Sequence, residues 1–158
     1  MLIETHLLVV GDGPAALVVA KAAAGLGLPC LLLGHEVTGG DERVALDDAT
    51  LADLTTHGLL DVLRPHLDGP PVSIAIFDFE DALKHHCVAD LNITVYDRMT
   101  LLDVVSDSSG LRGVITDGRS RWPVAADAFV DASSLPGDLN RAVTAGIALA
   151  CRLAASAT

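Results

Sequence analysis

Residues 7–17 read LLVVGDGPAAL: an apolar run, two glycines one residue apart, then Pro-Ala-Ala and more apolar residues. No other stretch limits the folding of this chain so strongly. The run His6–Val10, closed by Gly11, has the length of a buried strand. Pro14 stands at a helix start, where a missing N–H does no harm. Ala15–Leu26 is then a small-residue helix, stopped by Gly25 and Gly27. A second apolar run, Cys30–Leu33, follows Pro29. Strand, turn, helix and strand form one unit, whose strands lie parallel through a right-handed crossover.

A parallel sheet must be buried on both faces, and the composition permits it. The chain of 158 residues is 51% hydrophobic but only 3% aromatic, with a mean hydropathy of +0.47. Its core is therefore built from Ala, Val, Leu and Ile, which suits Ala-rich helices over a parallel sheet. The length fits a single domain spanning 1–158. The formal charge of −11 repels phosphate backbones and anionic lipid, so neither nucleic acid nor a membrane surface is expected as a partner. An anionic cofactor has to be held by local N–H groups instead.

Cys30, Cys87 and Cys151 are far apart, in apolar surroundings and without a CxxC spacing, so they are expected to be reduced core residues. With Glu4 where a leader carries basic residues, a cytoplasmic location is expected. Lys21, Gly25, Gly27 and Pro29 interrupt the apolar stretch around 15–33 well short of a membrane span.

The rest of the chain alternates between helical and extended patterns. Residues 39–69 turn polar and acidic, with short helices expected near Asp47–Thr56 and Leu59–Leu67. Val72–Phe77 reads as an edge strand or an extended lid. Asp78 is placed to cap a helix reaching about Asp90, with Phe79, Ala82, Leu83 and Cys87 as its buried stripe. Ile93–Tyr96 is a strand. Leu101–Ser106, Leu111–Thr116 and a piece near Trp122–Val124 form an antiparallel meander, punctuated by Ser108-Ser-Gly110 and Asp117-Gly118. Ala128–Asp131 returns as a buried strand, and Leu139–Ala155 closes the chain as an Ala-rich helix.

This order of elements resembles the FAD-binding domain of the glutathione-reductase-type flavoproteins, and within them the branch of fumarate reductase flavoprotein subunits and related FAD-dependent oxidoreductases. Val10-Gly-Asp-Gly-Pro-Ala-Ala16 is similar to that family's GxGPAG. Gly11 permits the sharp turn, Gly13 lets backbone approach a diphosphate, and Ala16 is small enough for close helix–strand packing. Phe77–Lys84 leading into Asn92–Tyr96, and Gly113-Val-Ile followed by Ala126–Ser133, resemble later segments. Pro136-Gly-Asp138 and the helix after it resemble the closing segment beside the flavin.

The resemblance implies an α/β fold: a Rossmann-like three-layer FAD-binding domain, with a parallel sheet and an inserted three-stranded antiparallel meander. It implies FAD as cofactor, with the diphosphate over Gly11, Asp12, Gly13, Pro14, Ala15 and Ala16. Gly40 would pass near the same group. The ribose would meet His35 or Glu36, the adenine the backbone of Met99, Thr100 and Leu101. The flavin end would lie at Ser133, Gly137 and Asp138.

The chain departs from the pattern in places. Where the family holds the ribose with a carboxylate, the count from Gly11 falls on Gly34. Its Ala-Thr-Gly strand end reads Ala132-Ser133-Ser134, and no substrate domain separates the meander from the last helix. The leading expectation is a minimal redox-active flavoprotein, working as a homodimer or with a redox partner or small substrate. The alternative is a degenerate, non-catalytic module acting as a binding subunit. NAD(P) binding by the same turn is a third reading, which the closing helix makes less attractive.

Other chemistry finds little support. His85 and His86 diverge by about 100° on a helix, and His57 and His66 lack a carboxylate at metal spacing, so no metal is expected. There is no Gly-x-Ser-x-Gly elbow. No side chain presents itself as a general acid or base, and catalytic residues stay unassigned. Arg43 and Arg98 are isolated, and Trp122 reads as a cover on the meander.

Overall fold

The computed structural model describes residues 1–157. β1 (Ile3–Val10) enters the glycine turn, α1 (Pro14–Gly25) returns, and β2 (Cys30–Leu33) lies parallel to β1, with Leu7 beside Cys30 and Val10 beside Leu33. Then come β3 (Arg43–Ala45), α2 (Asp48–Thr56), α3 (Leu60–Leu63), a 3-10 turn at Arg64–His66, β4 (Ser73–Ala75) and α4 (Ile76–Ala89). β5 (Ile93–Tyr96), β6 (Thr100–Asp107), β7 (Gly110–Thr116) and β8 (Arg121–Asp131) follow. A 3-10 turn at Ala132–Ser134 leads to α5 (Leu139–Ser156).

The main sheet runs β5-β2-β1-β8-β7-β6, parallel from β5 to β8 and antiparallel from there to β6. β3 and β4 pair separately. This is the expected α/β architecture. Its helix-side core gathers Leu7, Val9, Leu32 and Val130 with α1, α4 and α5. On the other side Leu8, Leu31 and Leu33 meet Leu111, Ile115 and Val124 of the meander, and Trp122 covers that cluster. A strand apolar on both faces, such as β2, follows directly from being covered twice.

α1 is buried along nearly its whole length because sheet and α5 enclose it. A Cβ on Gly146 would lie 3.1 Å from Val18 Cγ1, so the two helices cross at backbone-limited distance. Lys21 is the polar exception and reaches Asp90 at 2.8 Å, with both side chains largely covered. Burial pushes the Asp90 carboxyl up, but Lys21 and the Asn92 amide outweigh it and hold it below the usual carboxylate range.

The structure corrects several expectations. β1 begins at Ile3 rather than His6, because Ile3–Thr5 also pair with Val124–Ala126. The two strands expected at Trp122–Val124 and Ala128–Asp131 are one, since β8 runs unbroken beside β1 while its first half also pairs with β7. Asp78 is not a cap. α4 starts at Ile76, and its first amides go to backbone: Ile76 N to Glu42 O at 3.0 Å and Phe77 N to Gly40 O at 2.9 Å. Val72–Phe77 therefore splits between β4 and the first turn of α4. Cys30 and Cys87 are buried free thiols, whereas Cys151 is half-exposed. Among the described residues no helix is long and apolar enough to cross a membrane.

Candidate functional site

The site is built where β1, β2 and β8 end together. Gly11 and Gly13 take φ of 118° and 94°, backbone that side chains rarely adopt. Gly11 is also held by close approach, because a Cβ there would stand 3.2 Å from Ala132 Cβ and 3.6 Å from the Ser133 nitrogen. A Cβ on Gly13 would meet nothing within 4 Å, so that position opens outward. No side chain caps α1 at Gly13, which leaves the amides of Ala15 and Ala16 without a side-chain acceptor at the electropositive end of a buried helix. Pro14, Ala15 and Ala16 are themselves buried.

Two hydrogen bonds seam the loop after β2 to this turn. The Glu36 amide donates to Asp12 Oδ1 at 2.8 Å, and His35 Nε2 lies 3.0 Å from Gly13 O. A carbonyl only accepts, so Nε2 carries the proton and Nδ1 is a bare acceptor, with no hydrogen-bond partner. Burial, opposed by the Gly13 contact, holds the imidazole below its ordinary range. His35 has no exposed surface, so its side chain orients the turn and does not line an open ribose site. Glu36 is exposed.

Gly34 explains why no carboxylate ends β2. Its φ is +67°, and a Cβ would lie 2.7 Å from Met99 O. The expected adenine segment is thus adjacent to the end of β2, and it approaches through backbone. Thr100 is exposed and Leu101 half-buried at the start of β6.

Charged residues outside the expected set support the same loop. Lys84 donates to His35 O at 2.5 Å and pairs with Asp97 at 2.9 Å. Glu80 is buried, and its Oε2 accepts the Gly39 amide at 2.6 Å while Oε1 has no partner. Burial drives its carboxyl upward against the Gly39 and Thr38 amides, which lower it. A Cβ on Gly39 would collide with Glu80 Oε2, whereas a Cβ on Gly40 would meet nothing within 4 Å. A sequence signal for Glu80 exists: it stands at i−3 from Leu83 and i−7 from Cys87, on the buried stripe of α4. None marks Lys84.

A group whose folded pKa is raised contributes stability below its unfolded pKa and loses that contribution as pH rises through the folded value. Stability is therefore expected to fall as pH climbs above the ordinary glutamate range. Glu80→Gln should flatten that slope, read as urea midpoints across a pH series.

The far end of the crevice is formed by Ala132–Ser134 and the start of α5. Asp131 Oδ1 accepts the Ser133 amide at 3.0 Å and its hydroxyl at 2.7 Å. Asp138, expected at the flavin end, caps α5 by accepting the Arg141 amide at 3.1 Å. Beside this cap, Asp47, Pro136, Asn140, Arg141 and Thr144 line an open cavity of about 540 Å³. Asn140 fixes its wall, donating to Ala45 O at 2.9 Å and accepting the Asp47 amide at 3.0 Å. Gly137 is exposed and unobstructed.

The structure thus brings Gly11–Ala16, His35, Glu36 and Ser133 together at the ends of β1, β2 and β8, with Met99 beside Gly34. Asp12, Glu36, Asp97, Asp131 and Asp138 give the site's surroundings an acidic character. Arg43 is engaged elsewhere, with Asp68 at 3.0 Å. Among the described residues no three metal-ligating side chains gather.

No protein-family model matches the chain, and no curated protein matches it in sequence. Solved structures do match its fold. The p-nitrophenol 4-monooxygenase PnpA from Pseudomonas putida DLL-E4 superimposes with a TM-score of 0.70 at 17% identity, over 83% of this chain and 41% of that one. The flavin-dependent monooxygenase PieE, solved in complex with FAD and substrate, gives 0.67 at 17% identity, over 80% and 30%. A flavoprotein/dehydrogenase from Cytophaga hutchinsonii gives 0.61 at 16%, over 82% and 39%. At these identities the likeness is one of fold, and the chain spans well under half the length of these proteins.

Proposed function

We propose that this chain is a minimal FAD-binding flavoprotein domain with a redox role. The observation that carries the reading is the opening turn: two glycines in left-handed backbone before an uncapped, buried helix, with Gly13 open to the crevice. That geometry fits a diphosphate, which takes hydrogen bonds from free amides and gains from the helix dipole. The shared fold with a monooxygenase solved with FAD supports the choice of cofactor.

In this reading Gly11–Ala16 bind the diphosphate, with Gly40 as a second backbone approach. His35 orients the Gly13 peptide from below, and Glu36 offers its exposed carboxylate toward the ribose. Met99–Leu101 border the adenine through backbone. Ser133, Gly137 and Asp138 border the ring end, where the α5 terminus favours negative charge. Bound flavin would supply the electron-transfer chemistry. A redox partner, a second copy of the chain or a small substrate would meet the ring from the open side. Buried free thiols at Cys30 and Cys87 accord with a cytoplasmic protein.

A second reading, a degenerate module that no longer holds FAD, is favoured by the seam at Glu36–Asp12 and the closed position at Gly34. A visible spectrum separates the two: flavin bands that survive desalting support the first. Ionic strength adds a signature. Because Asp12, Glu36 and Asp131 stand beside the turn, screening relieves repulsion of the diphosphate. FAD affinity should hold or rise between about 0.05 M and 0.5 M salt, the reverse of a site built on lysines and arginines. A colourless protein whose thermal melt FAD does not shift would select the module.

A further inference from the structure

β8 has a neighbour on both sides for only part of its length. β7 pairs with it from Arg121 to Ala126, and β7 begins at Gly110, which passes beside Asp127. Beyond that point β8 keeps β1 on one side, with Leu7 beside Ala128 and Val10 beside Asp131, and among the described residues has no strand on the other. The Ser134 hydroxyl covers Asp131 O at 2.7 Å and ends the open stretch. An unpaired edge of this kind is a template for another strand.

Side chains alternate along it. Ala128 and Val130 turn toward the helix side, where Val130 is buried. Asp127, Phe129 and Asp131 share the opposite face with Leu8, and Phe129 keeps 38% of its surface exposed. Asp127 meets His6 through Oδ2 at 2.8 Å, and both groups stay exposed. The edge therefore presents an aromatic side chain between two carboxylates.

We propose that the open edge of β8, residues 127–131, docks an extended cationic segment of a partner protein, in which basic residues stand two positions either side of an apolar one. Charge decides the occupant. A second copy paired antiparallel about Phe129 would set Asp127 against Asp131, and a parallel pairing would set each aspartate against itself. Like charges directly opposed destabilise a ladder, and each copy already carries a net charge of −11. A strand with lysine or arginine two residues either side of an apolar residue meets both carboxylates and packs on Phe129. The docking does not rest on the FAD reading, although Asp131 also borders that site through Ser133.

A capped seven-residue peptide with a central valine, lysine two residues to either side and threonine elsewhere tests this against a peptide of equal charge with proline for the central valine. Fluorescence anisotropy should show the valine peptide binding at least tenfold tighter. Its binding should slow amide exchange within residues 127–131, and Asp127→Lys and Phe129→Thr should each remove most of the preference, with the fold checked by circular dichroism. Equal affinity for both peptides would reduce the effect to general charge and overturn the proposal. So would an absence of binding, or dimerisation of the chain that Phe129→Thr abolishes.

Discussion

Gly34→Glu, which restores on paper the ribose-binding carboxylate of the resembling flavoproteins, should lower the melting temperature and leave FAD affinity no better. The backbone at Gly34 has φ +67°, which costs a non-glycine residue about 1–2 kcal/mol. The new Cβ would also stand 2.7 Å from Met99 O, and the neighbour is backbone that cannot swing aside. Crowding of that kind costs roughly 1–3 kcal/mol. Gly34 cannot drift away cheaply, because its amide donates to Tyr96 O at 2.8 Å. For a chain of this size each kcal/mol moves the melting point by roughly 2–4 °C, so a fall on the order of 5–15 °C is expected. Gly34→Ala should show most of the same loss, which would locate the cause in the Cβ rather than the charge. A Gly34→Glu protein that melts with the parent and binds FAD more tightly would sink this account of how β2 ends.

Gly34 also shows how far the residues alone could be read. Cys30–Leu33 and Ile93–Tyr96 were legible because each is a short, mostly apolar run set off by flanking polar or turn-forming residues, and the parallel sheet takes the first as a buried strand and the second as its edge. The closing helix was legible through the Ala-rich run that follows Pro136-Gly-Asp138, a local pattern. Failures came where a distant partner replaces local chemistry. Asp78 has the residue type of a cap, but Glu42 and Gly40 supply the acceptors from another part of the chain. Ala125-Ala126-Asp127 looks like a break between two strands, yet pairing to β1 carries β8 straight through. His35 reads as a ligand contact by position, but its ring is turned inward to Gly13 O. The glycine turn itself was readable because φ requirements are written in residue type, whereas side-chain direction is not.

The sharpest test of the cofactor site compares Gly13→Ala with Gly118→Ala. The two glycines have nearly equal φ, +94° and +95°, and a Cβ on either would meet nothing within 4 Å. Each substitution therefore carries the strain of a positive φ, on the order of 1–3 kcal/mol, and neither adds a clash. Both proteins should fold, and both should melt a few degrees lower. They differ in place: Gly118 lies in the turn between β7 and β8, whereas the Gly13 methyl would enter the crevice where a diphosphate must approach the amides of Ala15 and Ala16. Relief of strain at Gly13 would also turn its carbonyl away from His35 Nε2, loosening the seam that shapes the turn. FAD affinity, measured by flavin fluorescence titration, should fall about a hundredfold in Gly13→Ala, equivalent to roughly 2.7 kcal/mol, and stay unchanged in Gly118→Ala. Because Gly118→Ala controls for the cost of a methyl at positive φ, a loss of binding confined to Gly13→Ala points to the site. Equal binding by the two variants would mean that the diphosphate does not sit on this turn.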